Sequence, residues 1–115
     1  MGDPLNQRIG RSTNAATAVN LDSDYVLPGH WWDVEYVSLS NSSGETVTVQ
    51  LALVTGSEVD YLGAALSASN GSGVSAVGPI RVGEGQKLRA IVTGTADSGP
   101  VMFIIMGSHE WEEED

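Results

Sequence analysis

Two segments of alternating residues, separated by a turn, constrain the fold of this chain most. Apolar and acidic residues alternate over residues 32–36, and large apolar residues alternate with Thr46, Thr48, Gln50 and Ala52 over residues 46–53. Because neighbouring residues of a strand point to opposite faces, each segment predicts a strand with one buried and one polar face. The cluster Asn41-Ser42-Ser43-Gly44 between them has the residue types and length of a hairpin connection. The sequence therefore predicts a strand pair packed on one side.

The remaining chain shows similar short segments between turn-forming residues. Roughly eight strands are predicted at intervals of about ten residues. Residues 59–68 contain good helix formers, but a strand is favoured in this context. Residues 101–106 are apolar at every position, which predicts a strand covered on both sides, either central or in an interface. We therefore expect an all-β fold, an antiparallel β-sandwich or jelly roll.

The composition divides the chain into three predicted parts. Residues 1–14 are polar and contain Gly2, Pro4 and Gly10, which predicts an N-terminal arm outside the packed domain. Residues 15–107 carry the strand pattern and form the predicted sandwich domain. Residues 108–115 follow Gly107, which together with Ser108 is expected to end the last strand. Five of the last six positions are acidic. They predict an acidic tail that leaves the domain.

Charge and composition disfavour several classes of function. The chain has 5 basic and 15 acidic residues, a net charge of −10, and an acidic surface repels nucleic-acid phosphates. The chain has no cysteine, so disulfides, thiol nucleophiles and thiolate metal sites do not occur. No stretch approaches the roughly 20 apolar residues of a membrane span, and none resembles a signal peptide. We expect neither nucleic-acid binding, nor membrane insertion, nor export by a cleaved leader.

Acidic pairs and histidines are the candidate catalytic and metal-binding groups. Asp33 and Glu35 share one predicted strand face and could act as an acid and base pair, but a solvated face is the simpler interpretation. Asp22 and Asp24 offer oxygen ligands for calcium, and turn formation explains them as well. The two histidines lack a spaced third ligand for zinc, and no Gly-x-Ser-x-Gly motif occurs. We predict no enzymatic activity, no cofactor and no metal site.

Aromatic residues and the two flanks supply the candidate interaction residues. Trp31 and Trp32 are adjacent, so one ring is expected to face the core and the other to face outward. An outward tryptophan is typical of an interface anchor, and equally of a half-buried rim residue. Trp111 lies in an anionic run, which suits docking on a basic groove of a neighbouring subunit or a solvated tail. The predicted interface comprises Arg8, Arg11, Trp31, His109, Glu110, Trp111, Glu112, Glu113, Glu114 and Asp115.

Several features follow one another in a definite order along the chain. After the polar arm come the strand Trp-Asp-Val-Glu-Tyr-Val-Ser-Leu (residues 32–39), a Ser/Gly hairpin and a Thr/Val-rich strand. The segment Gly-Glu-Gly-Gln-Lys-Leu-Arg-Ala follows at residues 83–90. Over residues 17–107 this order is similar to that of small β-sandwich structural proteins of tailed bacteriophage virions. It includes no diagnostic motif, so no functional residue carries over.

The resemblance implies a non-enzymatic virion structural protein. The leading hypothesis is a capsid decoration (cement) subunit, and head-tail accessory subunits belong to the same group. The resemblance further implies synthesis in the host cytoplasm, capsid or other virion proteins as partners, and a homo-oligomer such as a trimer. The alternative is a carbohydrate-binding or adhesin module of a tail or head fibre. There, an exposed tryptophan such as Trp31 would stack on sugar rings together with Tyr25, Tyr61 or Trp111.

Overall fold

A computed structural model describes residues 2–12, 19–41, 47–62, 66–68, 73–93 and 100–112. Within these ranges the chain forms nine strands and no helix. The strands are β1 (Gly2–Ser12), β2 (Val19–Asp22), β3 (His30–Asn41), β4 (Val47–Thr55), β5 (Glu58–Tyr61), β6 (Leu66–Ala68), β7 (Gly73–Val82), β8 (Gln86–Thr93) and β9 (Pro100–Trp111). The described part of the chain accordingly holds no helix long and apolar enough to cross a bilayer.

The strands form two antiparallel sheets that pack against each other. The first sheet has the order β1-β9-β3-β7, and the second has the order β2-β8-β4-β5, with β6 also paired to β4. The pairs are nested: β1 pairs with β9, β2 with β8, β3 with β7, and β4 with β5 and β6. Nested pairs split over two sheets are the arrangement of a jelly roll. The predicted all-β fold is therefore confirmed.

The core lies between the inner faces of the two sheets. In the first sheet, β9 contributes Val101, Phe103 and Ile105, each no more than 1% exposed. In the second sheet, the buried residues of β8 are Leu88, Ala90 and Val92. Burying a side chain of valine, leucine or phenylalanine size stabilises a fold by about 1.5–3 kcal/mol. This apolar layer holds the sheets together.

The two alternating segments form strands but do not pair with each other. β3 lies in the first sheet and β4 in the second. Asn41 of the predicted turn cluster ends β3, and residues 42–44 of the cluster lie outside the described residues. The predicted pairing of these two strands is therefore wrong. Alternation requires only that one face of each strand be buried. Packing across a sandwich meets that requirement as well as pairing in a hairpin does.

The residues predicted as an N-terminal arm form the edge strand β1. β1 pairs with β9 from Gly2 opposite Glu110 to Ser12 opposite Pro100. An edge strand tolerates proline and glycine, because one side of its backbone has no neighbouring strand to bond. Leu5 is 6% exposed and attaches β1 to the core. The arm prediction is thus wrong for residues 2–12, and residues 1, 13 and 14 lie outside the described ranges.

The predicted boundary of the C-terminal tail is also wrong, because β9 continues through Gly107 and Ser108 to Trp111. These residues pair on both sides. Ser108 lies opposite Pro4 of β1 and opposite Asp33 of β3. The two flanks that were expected to leave the domain therefore pair with each other inside it.

A bulge in β3 explains the glycine at position 107. The register against β9 shifts between Val34 and Tyr36, which leaves Glu35 as an extra residue. A Cβ atom at position 107 would overlap the backbone oxygen of Asp33 and lie 2.9 Å from the Cα atom of Val34. Gly107 is therefore required by a close backbone approach, not by a chain stop.

β7 runs through Gly78 and Pro79 without interruption, although these residue types commonly bend or end a strand. These two residues lie opposite the same bulge, between the pairs Val34–Ile80 and Tyr36–Val77. The glycine and proline here accompany a local irregularity of the sheet and do not end a strand.

We predict that Gly107→Ala lowers the free energy of unfolding by about 3 kcal/mol, the upper range of overpacking costs. The added methyl group would force apart the backbones of β9 and β3. Chemical denaturation followed by tryptophan fluorescence measures the change. Gly83→Ala is the matched control, because its Cβ would meet only the side-chain oxygen of Gln86 at 3.5 Å. A loss at Gly107 no larger than at Gly83 would contradict the prediction.

Candidate functional site

The two outer faces of the sandwich differ in chemistry. We name the outer face of the β1-β9-β3-β7 sheet the apolar face, and that of the β2-β8-β4-β5 sheet the tyrosine face. The inner faces of both sheets are occupied by the core. Any partner that binds the flat surfaces of the domain therefore meets one of these two faces.

The apolar face carries an exposed hydrophobic stripe. Met102 and Met106 are 37% and 42% exposed, and Ile104 lies between them on the same side of β9. Tyr36 of β3 is 39% exposed and pairs with Met106. The all-apolar segment was predicted to be covered on both sides. β9 is central in its sheet, but in the single chain only its core-facing side is buried.

The paired residues in the rows that cross the stripe include no acid on β1, β9 or β3, and Glu35, the exposed extra residue of the bulge, adjoins these rows next to Tyr36. In register, they are Asn6–Met106–Tyr36, Arg8–Ile104–Ser38 and Gly10–Met102–Ser40. The chain has 15 acidic and 5 basic residues, so these rows carry less negative charge than the surface as a whole. Another acidic surface can approach them with little like-charge repulsion. Arg8, one of the predicted interface residues, is exposed within these rows.

Trp31 also belongs to the apolar face, beyond the Met106 end of the stripe. Trp32 is 4% exposed and faces the core, whereas Trp31 lies on the opposite side of β3. The guanidinium carbon of Arg81 is 5.6 Å from the Trp31 ring centroid, and its Nε donates to Asp33 at 2.9 Å. The indole N–H of Trp31 is buried and has no hydrogen-bond partner among the described residues. Trp31 is consequently less accessible than the stripe.

His109 and Trp111 pack against β3 of their own chain. His30 Nδ1 and His109 Nε2 are 2.8 Å apart, and the ring centroids of His109 and Trp111 are 5.7 Å apart. The backbone N–H of Glu112 donates to the carbonyl oxygen of Gly29 at 3.0 Å. Trp111 therefore packs at the end of the first sheet of its own chain, where the sequence predicted either docking on a neighbouring subunit or a solvated tail.

The other predicted interface residues are only partly described. Glu110 pairs with Gly2 and Trp31, and its carboxylate lies against Gly2. Arg11 pairs with Val101 through the backbone of β1. Glu113, Glu114 and Asp115 also lie outside the described residues.

On the tyrosine face, Asp22 joins Lys87 and Arg89 in a charge cluster. The Asp22 carboxylate accepts hydrogen bonds from Arg89 Nε at 2.7 Å and Nη2 at 3.0 Å, and Lys87 Nζ lies 2.9 Å away. Hydrogen bonds from Arg89, and then from Lys87, lower the pKa of Asp22 although partial burial opposes them. In return, Asp22 raises the pKa of both cations. Asp22, a candidate calcium ligand in the sequence, therefore binds two cationic side chains.

On the tyrosine face, two apolar residues of β4 are buried. Ala52 and Val54 are at most 2% exposed, yet neither belongs to the core cluster between the sheets. Ala52 lies in register between Arg89 and Tyr61. The row Asp22–Arg89–Ala52–Tyr61 thus crosses β2, β8, β4 and β5.

Two exposed tyrosines accompany the charge cluster. Tyr61 on β5 is 65% exposed, and Tyr25, which follows β2, is 49% exposed. Lys87 Nζ lies 4.5 Å from the Tyr25 ring centroid. The sequence singled out both tyrosines, but only as companions of tryptophans that lie in the other sheet. The outward position of Lys87 and Arg89 follows from their alternation with buried Leu88 and Ala90, whereas their partner Asp22 is distant in the chain.

No family model matches the sequence, and no curated protein matches it significantly. The fold itself defines the class, an antiparallel β-sandwich. Across the described ranges, no group of three or more histidine, aspartate or glutamate side chains could hold a metal ion.

We predict that Asp22→Asn lowers the free energy of unfolding by about 2 kcal/mol near neutral pH, since it removes charged hydrogen bonds from two cations. Because folding lowers the pKa of Asp22, its contribution is complete above the ordinary aspartate range, about pH 4, and is lost as the pH falls through the lowered value. The difference between wild type and variant should therefore shrink in acid. Urea denaturation across this pH range measures it.

Asp33→Asn is the control for this prediction. Asp33 pairs with Arg81, but both side chains are well exposed, at 40% and 67%. An exposed pair contributes about 0.5 kcal/mol. Equal losses for the two variants, or a constant difference at every pH for Asp22→Asn, would show that the charge cluster does not stabilise the fold in this way.

Proposed function

We propose that this protein is a non-enzymatic structural subunit of a tailed bacteriophage virion, of the capsid decoration type, and that its copies associate through the apolar face. One observation supports the association most: the exposed Met102–Ile104–Met106 stripe lies in rows free of acidic residues. Contiguous exposed apolar surface marks interaction sites in soluble proteins. Methionine side chains suit such a surface because they adapt to the shape of a partner.

The apolar face has the dimensions of a protein interface. Four strands spaced about 4.8 Å apart and about 11 residues long give a face of about 19 by 36 Å. Its area, about 700 Å², is close to the roughly 800 Å² that each partner buries in a stable complex. One sheet face is therefore large enough to hold two subunits together.

Charge favours a second copy of this chain as the occupant. Two molecules that each carry a net charge of −10 repel each other over most orientations. The rows around the stripe are where that repulsion is weakest, and Arg8 there adds positive charge. Closed symmetric oligomers are the usual outcome of such self-association, and a trimer is the form proposed here.

The virion location is supported by the fold class and by the order of features along the sequence. Jelly rolls are common in viral capsid domains, and also in lectins. Fold alone does not assign function, so the choice between these uses rests on the ordered resemblance over residues 17–107. The proposed partners are accordingly capsid or other virion proteins.

We expect Met106→Asp to weaken self-association at least about tenfold, because it places a charge in the centre of the interface. Size-exclusion chromatography with light scattering over a concentration series measures the effect. Thr48→Asp is the matched control: it adds the same charge at an exposed strand position of the tyrosine face and should leave association unchanged. A monomeric wild-type protein at every concentration would contradict self-association.

The virion assignment has its own test. Purified particles of the phage whose genome encodes this chain should contain it at a fixed copy number by mass spectrometry. Particles that lack it should bind the purified protein to saturation. Particles without the protein and without saturable binding would refute the virion location, whatever its oligomeric state.

A further inference from the structure

We propose that the tyrosine face binds a neutral oligosaccharide, with Tyr25 and Tyr61 as stacking platforms and the charge cluster as the hydrogen-bonding centre. This inference goes beyond the proposed function, which uses the opposite face of the sandwich. It also relocates the predicted sugar platform. The two most exposed aromatic residues of the described chain, Tyr61 and Tyr25, lie on the outer side of the second sheet, away from Trp31 and Trp111.

The tyrosines are placed so that one ligand can contact both. Arg89 on β8 lies two strands from Tyr61 on β5, a distance of about 10 Å. Tyr25 lies on the other side of β8, where its ring contacts Lys87. A chain of a few sugar rings can span from one tyrosine to the other across the charge cluster.

Ring stacking is the first element of recognition. The aromatic face carries a negative partial charge and is attracted to positively polarised groups, such as the C–H bonds of a pyranose ring. Tyr61 and Tyr25 expose 65% and 49% of their surface, although each has an apolar ring. A sugar ring on either platform would cover this apolar surface and leave the hydroxyls in contact with water or with neighbouring polar groups.

Hydrogen bonding by the charge cluster is the second element. The contact with Asp22 uses Nε and Nη2 of Arg89, and a guanidinium has five N–H donors in one plane. Asp22 and Arg89 together present acceptors and donors side by side, the pattern that adjacent sugar hydroxyls match. Because Asp22 holds Arg89 from one side, these donors are positioned before a ligand binds.

Charge selects a neutral ligand over an anionic one. Asp22 already neutralises one of the two positive charges of Lys87 and Arg89, and a phosphate or sulfate would compete with it for both cations. The net charge of −10 also repels polyanions. An apolar protein partner is disfavoured too, because it would have to desolvate all three members of the cluster.

The test begins with the full-length protein on a glycan array that carries neutral, sialylated and sulfated oligosaccharides. We expect binding to neutral glycans. The best of them is then titrated in solution by isothermal calorimetry, where multivalent binding to a surface does not contribute. Tyr61→Ala should raise the dissociation constant about tenfold, the effect of losing an anchor worth about 1.4 kcal/mol. Tyr61→Trp, which keeps a stacking ring, should retain binding.

Tyr36→Ala is the matched control, because it removes an exposed tyrosine from the apolar face and should leave sugar binding unchanged. Met106→Asp separates the two proposals: a dissociated protein that still binds the glycan supports the tyrosine face alone. The inference is overturned if no neutral glycan binds, if only sialylated or sulfated glycans bind, or if Tyr61→Ala and Tyr36→Ala have equal effects.

Discussion

The central position of β9 is the constraint on which the rest of the structure depends. β9 pairs with β1 on one side and β3 on the other over nearly its whole length, and Val101, Phe103 and Ile105 on its inner side are buried in the core. β1 is an edge strand next to β9, so its pairing with β9 holds it in the sheet. The same strand presents Met102, Ile104 and Met106 outward. One strand thus holds the first sheet together and carries the surface proposed for association.

The sandwich separates its two proposed interactions by placing them on opposite outer faces. Association through the apolar face would leave Tyr25, Tyr61 and the charge cluster accessible on every copy. An oligomer would then present several equivalent sugar-binding faces, and linked sites bind a multivalent ligand more tightly than single ones. The structural and ligand-binding hypotheses are therefore compatible. They differ in which face carries them, and each can fail without the other.

Glycine and proline account for most of the errors in predicting the fold from the sequence. Pro4 and Gly10 indicated an arm, and Gly107 indicated the end of the last strand, since these residues commonly interrupt regular structure. In the structure Pro4 lies on an edge strand, and Gly107 allows the backbones of β9 and β3 to approach at a bulge. Both explanations fit the residue types equally well, and only the neighbouring strand distinguishes them. Because both flanks form strands, Trp111, which the sequence placed in an acidic tail, belongs to the domain.

The sequence by itself determined the all-β class, which side of the main strands is buried, and the strongly acidic charge. These properties follow from residues next to each other in the chain, because alternation places neighbours on opposite sides of a strand. Only the tertiary structure decided which strands pair and which side chains share a face. Asp22 and Arg89 are 67 residues apart in the chain, and His30 and His109 are 79 apart. Nested strand pairing brings such distant residues together, and no local pattern of side chains specifies that pairing.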